Sequence, residues 1–297
     1  RIIRAAAAVK EDGIGHPILL GRPEVVRQKV QDLGLDFEPT VIEPQFSQQY
    51  EAYCQAFFQL RQRKGITWSR ARAFMRRRSY FGPMMVQMGD ADAYVSGLTH
   101  NYPEIIRPAL EVVATAQGVG KVAGMYIMIV RDKVYFFSDA TVNIDPSAED
   151  LAEIASLAAD AACRFDVQPR IAMLSFSNFG STRHPFAEKV QRAVEILREC
   201  RPDLAVDGEM MADTAVVPEI IDELYPFSQV RDANVLIFPN LEAANVAYKL
   251  LQRLGGAETI GPVLLGMGKP VHVLQRGDEV RNIVNMAALA VVDAQER

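Results

Sequence analysis

NVLIFPNLEAANVAYKLLQRLGG, residues 234–256, followed by PVLLG at 262–266, is the stretch that decides the fold. NVLIFPN is a short apolar run of strand length that leads into a helical pattern ending near Leu254, and PVLLG is another strand-length run. A strand that feeds a helix and then a further buried strand suits a parallel sheet, because parallel neighbours need a long crossover. The same alternation extends outward in both directions. RIAMLSFS (170–177) reads as a buried strand before a helix from His184 to Glu199, and LAVDGE (204–209) as a short segment after it. Towards the N-terminus, PILL (17–20) reads as a strand, with a helix from Pro23 to Leu33 closed by Gly34. An amphipathic helix is expected from Phe46 to Lys64, stopped by Gly65. Thr67 caps the next helix, with Arg70 where a full capping box would carry Glu or Gln. ADAYVSG (91–97) reads as a strand entering a glycine turn, and Pro103 to Gln117 as a helix.

Near the middle the texture changes. MYIMIV (125–130) and VYFFSD (134–139), separated by Arg131-Asp132-Lys133, give a hairpin signal, and this region is the expected hinge between two lobes. Ser147 caps a helix running to about Arg164. Strands alternating with helices along most of the chain predict an α/β fold with parallel-rich sheets.

Composition narrows the function classes. The chain has 297 residues, 49% of them hydrophobic, which is ample for a buried core. Its formal charge is −5, and its 32 basic residues are dispersed apart from Arg76-Arg77-Arg78, which disfavours a nucleic-acid partner. Cys54, Cys163 and Cys200 are far apart and odd in number, so neither a disulfide framework nor a C-x-x-C metal pair is suggested, and a reducing cytoplasm is the expected location. No apolar run approaches the ~20 residues of a membrane span. RIIRAAAAVK at the start reads as the middle of a helix, so the expectation is either a piece cut from something longer or a missing first strand.

Most single motifs are ambiguous. GVGKVAG (118–124) and GMGKP (266–270) both fail the nucleotide-binding glycine patterns and read as turns. SFSNFGST (175–182) reads as a polar strand-to-helix loop whose serine caps the helix, or as a phosphate cradle made by Ser175, Ser177 and Ser181 and the Gly180-Ser181 amides. SDATVNIDP (138–146) places Asp139, Thr141, Asn143 and Asp145 in a loop that either lines a ligand or forms an Asx-turn satisfying its own backbone. DGEMMAD (207–213) holds three carboxylates without histidine, which reads as structural hydrogen bonding rather than a metal site. His16, His100, His184 and His272 show no ligand spacing, and no G-x-S-x-G elbow is present. Arg61 and Arg107 lie on helices, where a lone arginine is usually a surface group.

HVLQRGDEVRN (272–282) raises the sharper question. It reads as the end of a strand, a glycine turn and the first turn of a helix from Glu279 to Ala294, with Arg276 at the turn where an anion would sit. Asp278 and Glu279 read as first-turn carboxylates that complement the helix dipole.

Taken in order, MGDADAYVSGLTHNYPEIIRPAL, SDATVNIDP, RIAMLSFSNFGS, DGEMMADTA, NVLIFPNLEAANVAYKLLQRLGG and GPVLLGMGKPVHVL resemble the phosphate acetyl/butyryl transferase family. The wording SFSNFGS, DGEM and KPVHVL followed by RNIVNMAALAVVDAQ is most similar to one branch, the C-terminal transacetylase-like half of bacterial hybrid NADP-dependent malic enzymes. The resemblance implies two α/β lobes with a cleft between them, an architecture shared with isocitrate and isopropylmalate dehydrogenases. Lobe I would be residues 1–118 completed by 262–297, and lobe II residues 119–261. It implies coenzyme A and acetyl phosphate as ligands, a homodimer through lobe II, and a covalently linked malic-enzyme half. The sites for malate, NADP and a divalent metal would lie in that half. The role implied here is oligomerisation and inhibition by acetyl-CoA.

The same resemblance makes Arg61 and Arg107 cleft arginines, and Arg276 with Gly277 the contact for the acyl phosphate. It also exposes three departures. Gln275 stands where active transacetylases carry serine, Asn282 where they carry the aspartate assigned as base, and Phe179 where they carry a loop lysine. An amide cannot take a thiol proton at neutral pH, and losing a positioned base costs about 10²–10⁴ in rate. The expectation is an impaired transferase site that binds acetyl-CoA or coenzyme A as an effector. An active phosphate acetyltransferase and a ligand-free oligomerisation scaffold are the alternatives.

Overall fold

The computed structural model describes residues 1–99 and 102–296, the side chains of Tyr102 and Pro103 excepted, so His100 lies outside it. The chain divides into two compact units, Arg1–Gln117 with Met267–Arg297, and Gly118–Gly266.

The first unit opens with α1 (Ile2–Glu11), β1 (Ile18–Leu20), α2 (Pro23–Asp32) and β2 (Thr40–Ile42). It continues with α3 (Tyr50–Arg61), α4 (Trp68–Met75), α5 (Arg78–Met88), β3 (Tyr94–Ser96) and α6 (Tyr102–Val112). After the second unit the chain returns with β10 (Val271–Val273) and α12 (Val280–Gln295). The strands form two separate parallel pairs, β1 with β2 and β10 with β3.

The helix expected from Phe46 to Lys64 is shorter. Pro44–Phe46 forms a 3-10 turn, and Ser47 Oγ then accepts the Gln49 N–H and turns the chain before α3 begins. At the far end Gln62–Lys64 tightens into a second 3-10 turn, and Gly65 stops it at φ 82°. Thr67 does cap α4, accepting the Arg70 N–H at 3.4 Å. The helix expected to reach Gln117 ends at Val112, because Ala114 takes a positive φ of 62° and Thr115 bridges to Met267. Gly97 ends β3 at φ 131°, and a Cβ there would come within 2.6 Å of the Leu274 carbonyl oxygen. Only glycine permits this close approach of β3 to the segment after β10.

The second unit carries β4 (Ala123–Val130), β5 (Lys133–Ser138), α7 (Ala148–Arg164), β6 (Arg170–Leu174), α8 (Pro185–Cys200) and β7 (Ala205–Met210). The short α9 (Ala212–Val216) and α10 (Pro218–Leu224) precede β8 (Val235–Ile237), α11 (Leu241–Arg253) and β9 (Glu258–Leu265). One six-stranded sheet runs in the order β7-β6-β8-β5-β4-β9, and its β7-β6-β8-β5 portion is parallel. The predicted hairpin is β4–β5, antiparallel with a turn at Arg131 and Asp132. It lies inside this unit and is therefore not the hinge; the chain passes between units at Gln117–Gly118 and Gly266–Met267.

Local signals explain the helices. Ser147 and Asp150 form a complete capping box on α7, and Asn240 caps α11. The core beside the sheet is built from Tyr126, Phe137, Leu174, Leu236 and Tyr248, each buried. Cys54 is buried and Cys163 and Cys200 are exposed, all as free thiols. No helix among the described residues is long and apolar enough to cross a membrane.

Candidate functional site

Arg61 at the end of α3 and Arg107 on α6 converge on one carboxylate that the sequence reading did not single out, Glu111. Its Oε1 accepts Arg107 Nε at 2.9 Å and its Oε2 accepts the Tyr80 hydroxyl at 2.7 Å. Burial would raise the Glu111 carboxyl, but the hydrogen bonds from Arg107 and Tyr80, with the nearby Arg107 and Arg61 charges, outweigh it and lower it. Burial and the same carboxylate push Tyr80 up to about 12, so it remains a donor at neutral pH. Arg61 Nε is buried without a hydrogen-bond partner, whereas the Arg107 side chain is 80% exposed. Two cations held around one acid leave positive charge over for an anionic ligand. The spacing Arg107 to Glu111, one helical turn, was the available signal in the sequence.

The turn after β10 positions the third arginine. Arg276 and Gly277 are exposed, and Arg276 has no partner among the described residues. The carboxylates beside it are not helix residues as expected, because α12 starts at Val280 with Glu279 as an N-cap that makes no side-chain bond. Asp278 instead closes the turn: its N–H donates to the Gln275 carbonyl at 3.2 Å, and its Oδ2 accepts the Gln275 N–H at 2.7 Å. Burial raises its carboxyl, while bonds from the Gln275 N–H and the Asn282 side chain and the charge of Arg1 oppose the rise. The Asn282 amide is therefore engaged by the Asp278 carboxylate one turn earlier. Arg1 Nη1 adds a further brace, donating to the Gly277 and Asp278 carbonyls at 2.9 and 3.3 Å.

In the second unit the polar loops are largely self-satisfied. Asp139 accepts the N–H groups of Gly124, Thr141, Val142 and Asn143 and the Asn143 side-chain amide, which is the Asx-turn reading made complete. Glu209, absent from the candidate ligand set, holds the serine loop: its Oε1 accepts the Ser177 hydroxyl and the Gly180 N–H, both at 2.8 Å. Ser181 Oγ accepts the Asn178 N–H and contacts Ser177 Oγ at 3.1 Å, and the Ser175 N–H donates to the Met210 carbonyl. A loop whose amide and hydroxyls already serve a buried carboxylate has fewer donors left for phosphate. Phe179 sits in the same loop at φ 47°, its ring centroid 5.0 Å from those of both Tyr225 and Phe227. Asp207 is buried and accepts from Arg198, Ser228 and the Gln229 N–H. Among the described residues no group of three or more His, Cys, Asp or Glu could hold a metal ion. His184 caps α8 through Nδ1, and His272 is buried 3.4 Å from Asp293.

A family model, described as phosphate acetyl/butaryl transferase, matches residues 1–291. The chain belongs to this family. It is 41% identical to the phosphate acetyltransferase of Thermoanaerobacterium thermosaccharolyticum over 99% of this chain and 92% of that protein. It is 40% identical to the NADP-dependent malic enzyme of Escherichia coli, again over 99% of this chain but only 40% of that much longer protein. The crystal structure of a phosphotransacetylase from Streptococcus pyogenes superposes with a TM-score of 0.95 at 41% identity, covering all of this chain and 91% of that one. The fold is thus that of the phosphotransacetylases. A transferase-family chain is therefore what carries Gln275, Asn282 and Phe179 at the positions described above.

Proposed function

We propose that this chain binds acetyl-CoA or coenzyme A at a phosphate-acetyltransferase-type site and transfers the acetyl group poorly, acting as a regulatory domain. The observation that carries the reading is the retained set of cations combined with the amide at Asn282. Arg61, Arg107 and Arg276 supply charge for phosphate groups, while Asn282 offers no basic atom and its amide is held by Asp278. The Gln275 side chain is bulkier than the serine the resemblance implies beside Arg276, and Phe179 stands where the resemblance implies a loop lysine.

The match to part of the Escherichia coli malic enzyme supports a covalently linked catalytic half as the receiver of the signal. Acetyl-CoA would then inhibit by favouring one arrangement of the assembly, with a typical coupling of ~1–3 kcal/mol. An exposed apolar stripe of Val246 and Leu250 on α11 and Leu254 at its C-cap supports a homodimer through the second unit.

A second reading, an active phosphate acetyltransferase converting acetyl-CoA and phosphate to coenzyme A and acetyl phosphate, has two specific supports. Relatives matched along nearly their whole length carry the name phosphate acetyltransferase, and on names alone they outweigh the malic enzymes. Asp278 also offers a carboxylate in the Arg276 turn, held towards the protonated form by burial.

Titration calorimetry with acetyl-CoA tests the binding. Saturable heat is expected, with affinity falling about tenfold or more in Arg276→Ala, the loss of one charge-assisted hydrogen bond. No binding heat up to millimolar ligand leaves only the scaffold alternative.

A further inference from the structure

The run Arg76-Arg77-Arg78 is the end of a longer basic stretch. From Arg61 to Arg78 the chain carries eight of its 32 basic residues and no Asp or Glu. The fold does little to neutralise them. Arg72 on α4 pairs with Glu51 on α3 at 2.6 Å. Arg70, Arg76, Arg77 and Arg78 are exposed and form no ion pair among the described residues. Like charges this dense repel one another until an anion lies against them.

Two of these arginines are mounted on one ring. The Arg70 guanidinium lies 5.8 Å, and that of Arg77 5.3 Å, from the centre of Phe74. Stacking of this kind fixes the plane of a guanidinium and leaves its edge N–H groups free, the arrangement that meets phosphate oxygens in pairs. Phe74 is itself held, by Tyr80 stacked at 4.5 Å and by the buried Phe57 edge-on at 6.0 Å. Tyr80 joins this platform to the arginine site. Its ring stacks on Phe74 while its hydroxyl donates to Glu111, the acid that also holds Arg107. Burial and Glu111 raise that hydroxyl, and the charges of Arg107 and Arg77 both oppose the rise. Arg70, Phe74, Arg77 and Arg107 border one open cavity, so the platform and the Arg107–Glu111 pair face the same space.

We propose that Arg70 and Arg77, mounted on Phe74, form a second phosphate subsite that takes the nucleotide phosphates of coenzyme A beside the Arg61–Arg107 site. The charge count selects this ligand. Acetyl phosphate carries a single phosphate and has no use for a second pair of arginines. The nucleotide end of coenzyme A carries a diphosphate and a 3′-phosphate, remote from the thiol. The assignment rests on the binding of coenzyme A esters proposed above, and the test separates the two.

The full chain is compared with Arg70→Gln/Arg77→Gln by titration calorimetry at one salt concentration. Glutamine keeps a polar side chain at each exposed position and removes the charge. Arg72→Gln, which removes a cation from the same helix, is the control. The probes are acetyl-CoA, S-acetylpantetheine, which lacks the nucleotide, and 3′-phosphoadenosine 5′-diphosphate, which is the nucleotide alone. The double variant should bind acetyl-CoA and the nucleotide at least about tenfold more weakly, with S-acetylpantetheine unaffected and Arg72→Gln like the parent. Unchanged acetyl-CoA affinity in the double variant overturns the subsite and leaves the proposed function standing. Equal weakening of acetyl-CoA and S-acetylpantetheine also overturns it, as does an equal loss in Arg72→Gln, which would show only a diffuse field. Nucleotide binding that the double variant loses, in a chain that gives no heat with acetyl-CoA, would keep the phosphate subsite and remove the function proposed above. No binding of any probe overturns both.

Discussion

Replacing Tyr80 with phenylalanine removes one atom from the arginine site and nothing else. The ring is buried, stacked on Phe74 at 4.5 Å, and Phe keeps those contacts. What disappears is the 2.7 Å bond to Glu111 Oε2, whose side chain is 14% exposed. A hydrogen bond to a charged group contributes about 1.5–3 kcal/mol. The lower end applies here, because water can reach part of the carboxylate, which gives about 1.5 kcal/mol, or roughly 4 °C in melting temperature. The pH dependence gives the sign. Glu111 is lowered in the folded protein, so the stability it contributes is fully present above its unfolded value and is lost as pH falls through the folded one. The deficit of Tyr80→Phe should therefore be full at pH 7 and shrink as the solution is acidified below about pH 4. Denaturant titrations of both proteins at several pH values measure it. A deficit that is absent at pH 7, or that grows on acidification, refutes the account of Glu111 as the charged hub holding Arg61 and Arg107.

Other outcomes follow from particular contacts. Asp207→Ala leaves the Ser228 hydroxyl and the Gly208 and Gln229 N–H groups without the acceptor they now use and breaks the Arg198 ion pair, and should cost about 3 kcal/mol by urea unfolding. Gly124→Ala puts a Cβ 1.6 Å from Thr141 Oγ1, so the loop over Asp139 must move; about 3 kcal/mol of lost stability is expected, visible as a lowered urea midpoint. Leu250→Asp on the exposed stripe of α11 should reduce the mass seen by sedimentation equilibrium to that of the monomer while leaving helical circular dichroism unchanged. Arg276→Ala should weaken acetyl-CoA without shifting the melting temperature, since the side chain is exposed and unpaired among the described residues.

The fold was legible where local rules agree. Ser147 with Asp150 announced α7, the Arg131-Asp132-Lys133 turn announced the hairpin, and the apolar runs at 170–174 and 235–237 are parallel strands. Element ends were less legible, because the breaks at Ser47 and Ala114 depend on side-chain bonding and a positive φ that periodicity does not register. The hinge was misplaced for a different reason: a change of texture at the hairpin marks an antiparallel edge of the six-stranded sheet, not a boundary between units. In the site, arginines stand out in a sequence but their shared acid does not. Glu111 and Glu209 look like ordinary helix and strand residues until the fold brings Tyr80, or Ser177 and Gly180, against them. Asp278 likewise reads as a dipole-complementing residue, and only the turn geometry shows it accepting the Gln275 N–H and holding Asn282.

The central claim is that ligand binding persists while acetyl transfer is impaired. Its most direct test is the rate of acetyl-CoA formation from acetyl phosphate and coenzyme A by the purified chain. The Bacillus subtilis phosphate acetyltransferase, 39% identical, serves as reference in the same assay. The account predicts a turnover at least about 10²-fold below the reference, the cost of lacking a positioned base. A rate within tenfold of the reference, abolished by Asp278→Asn, would contradict it and make this chain an active transferase with Asp278 as its base.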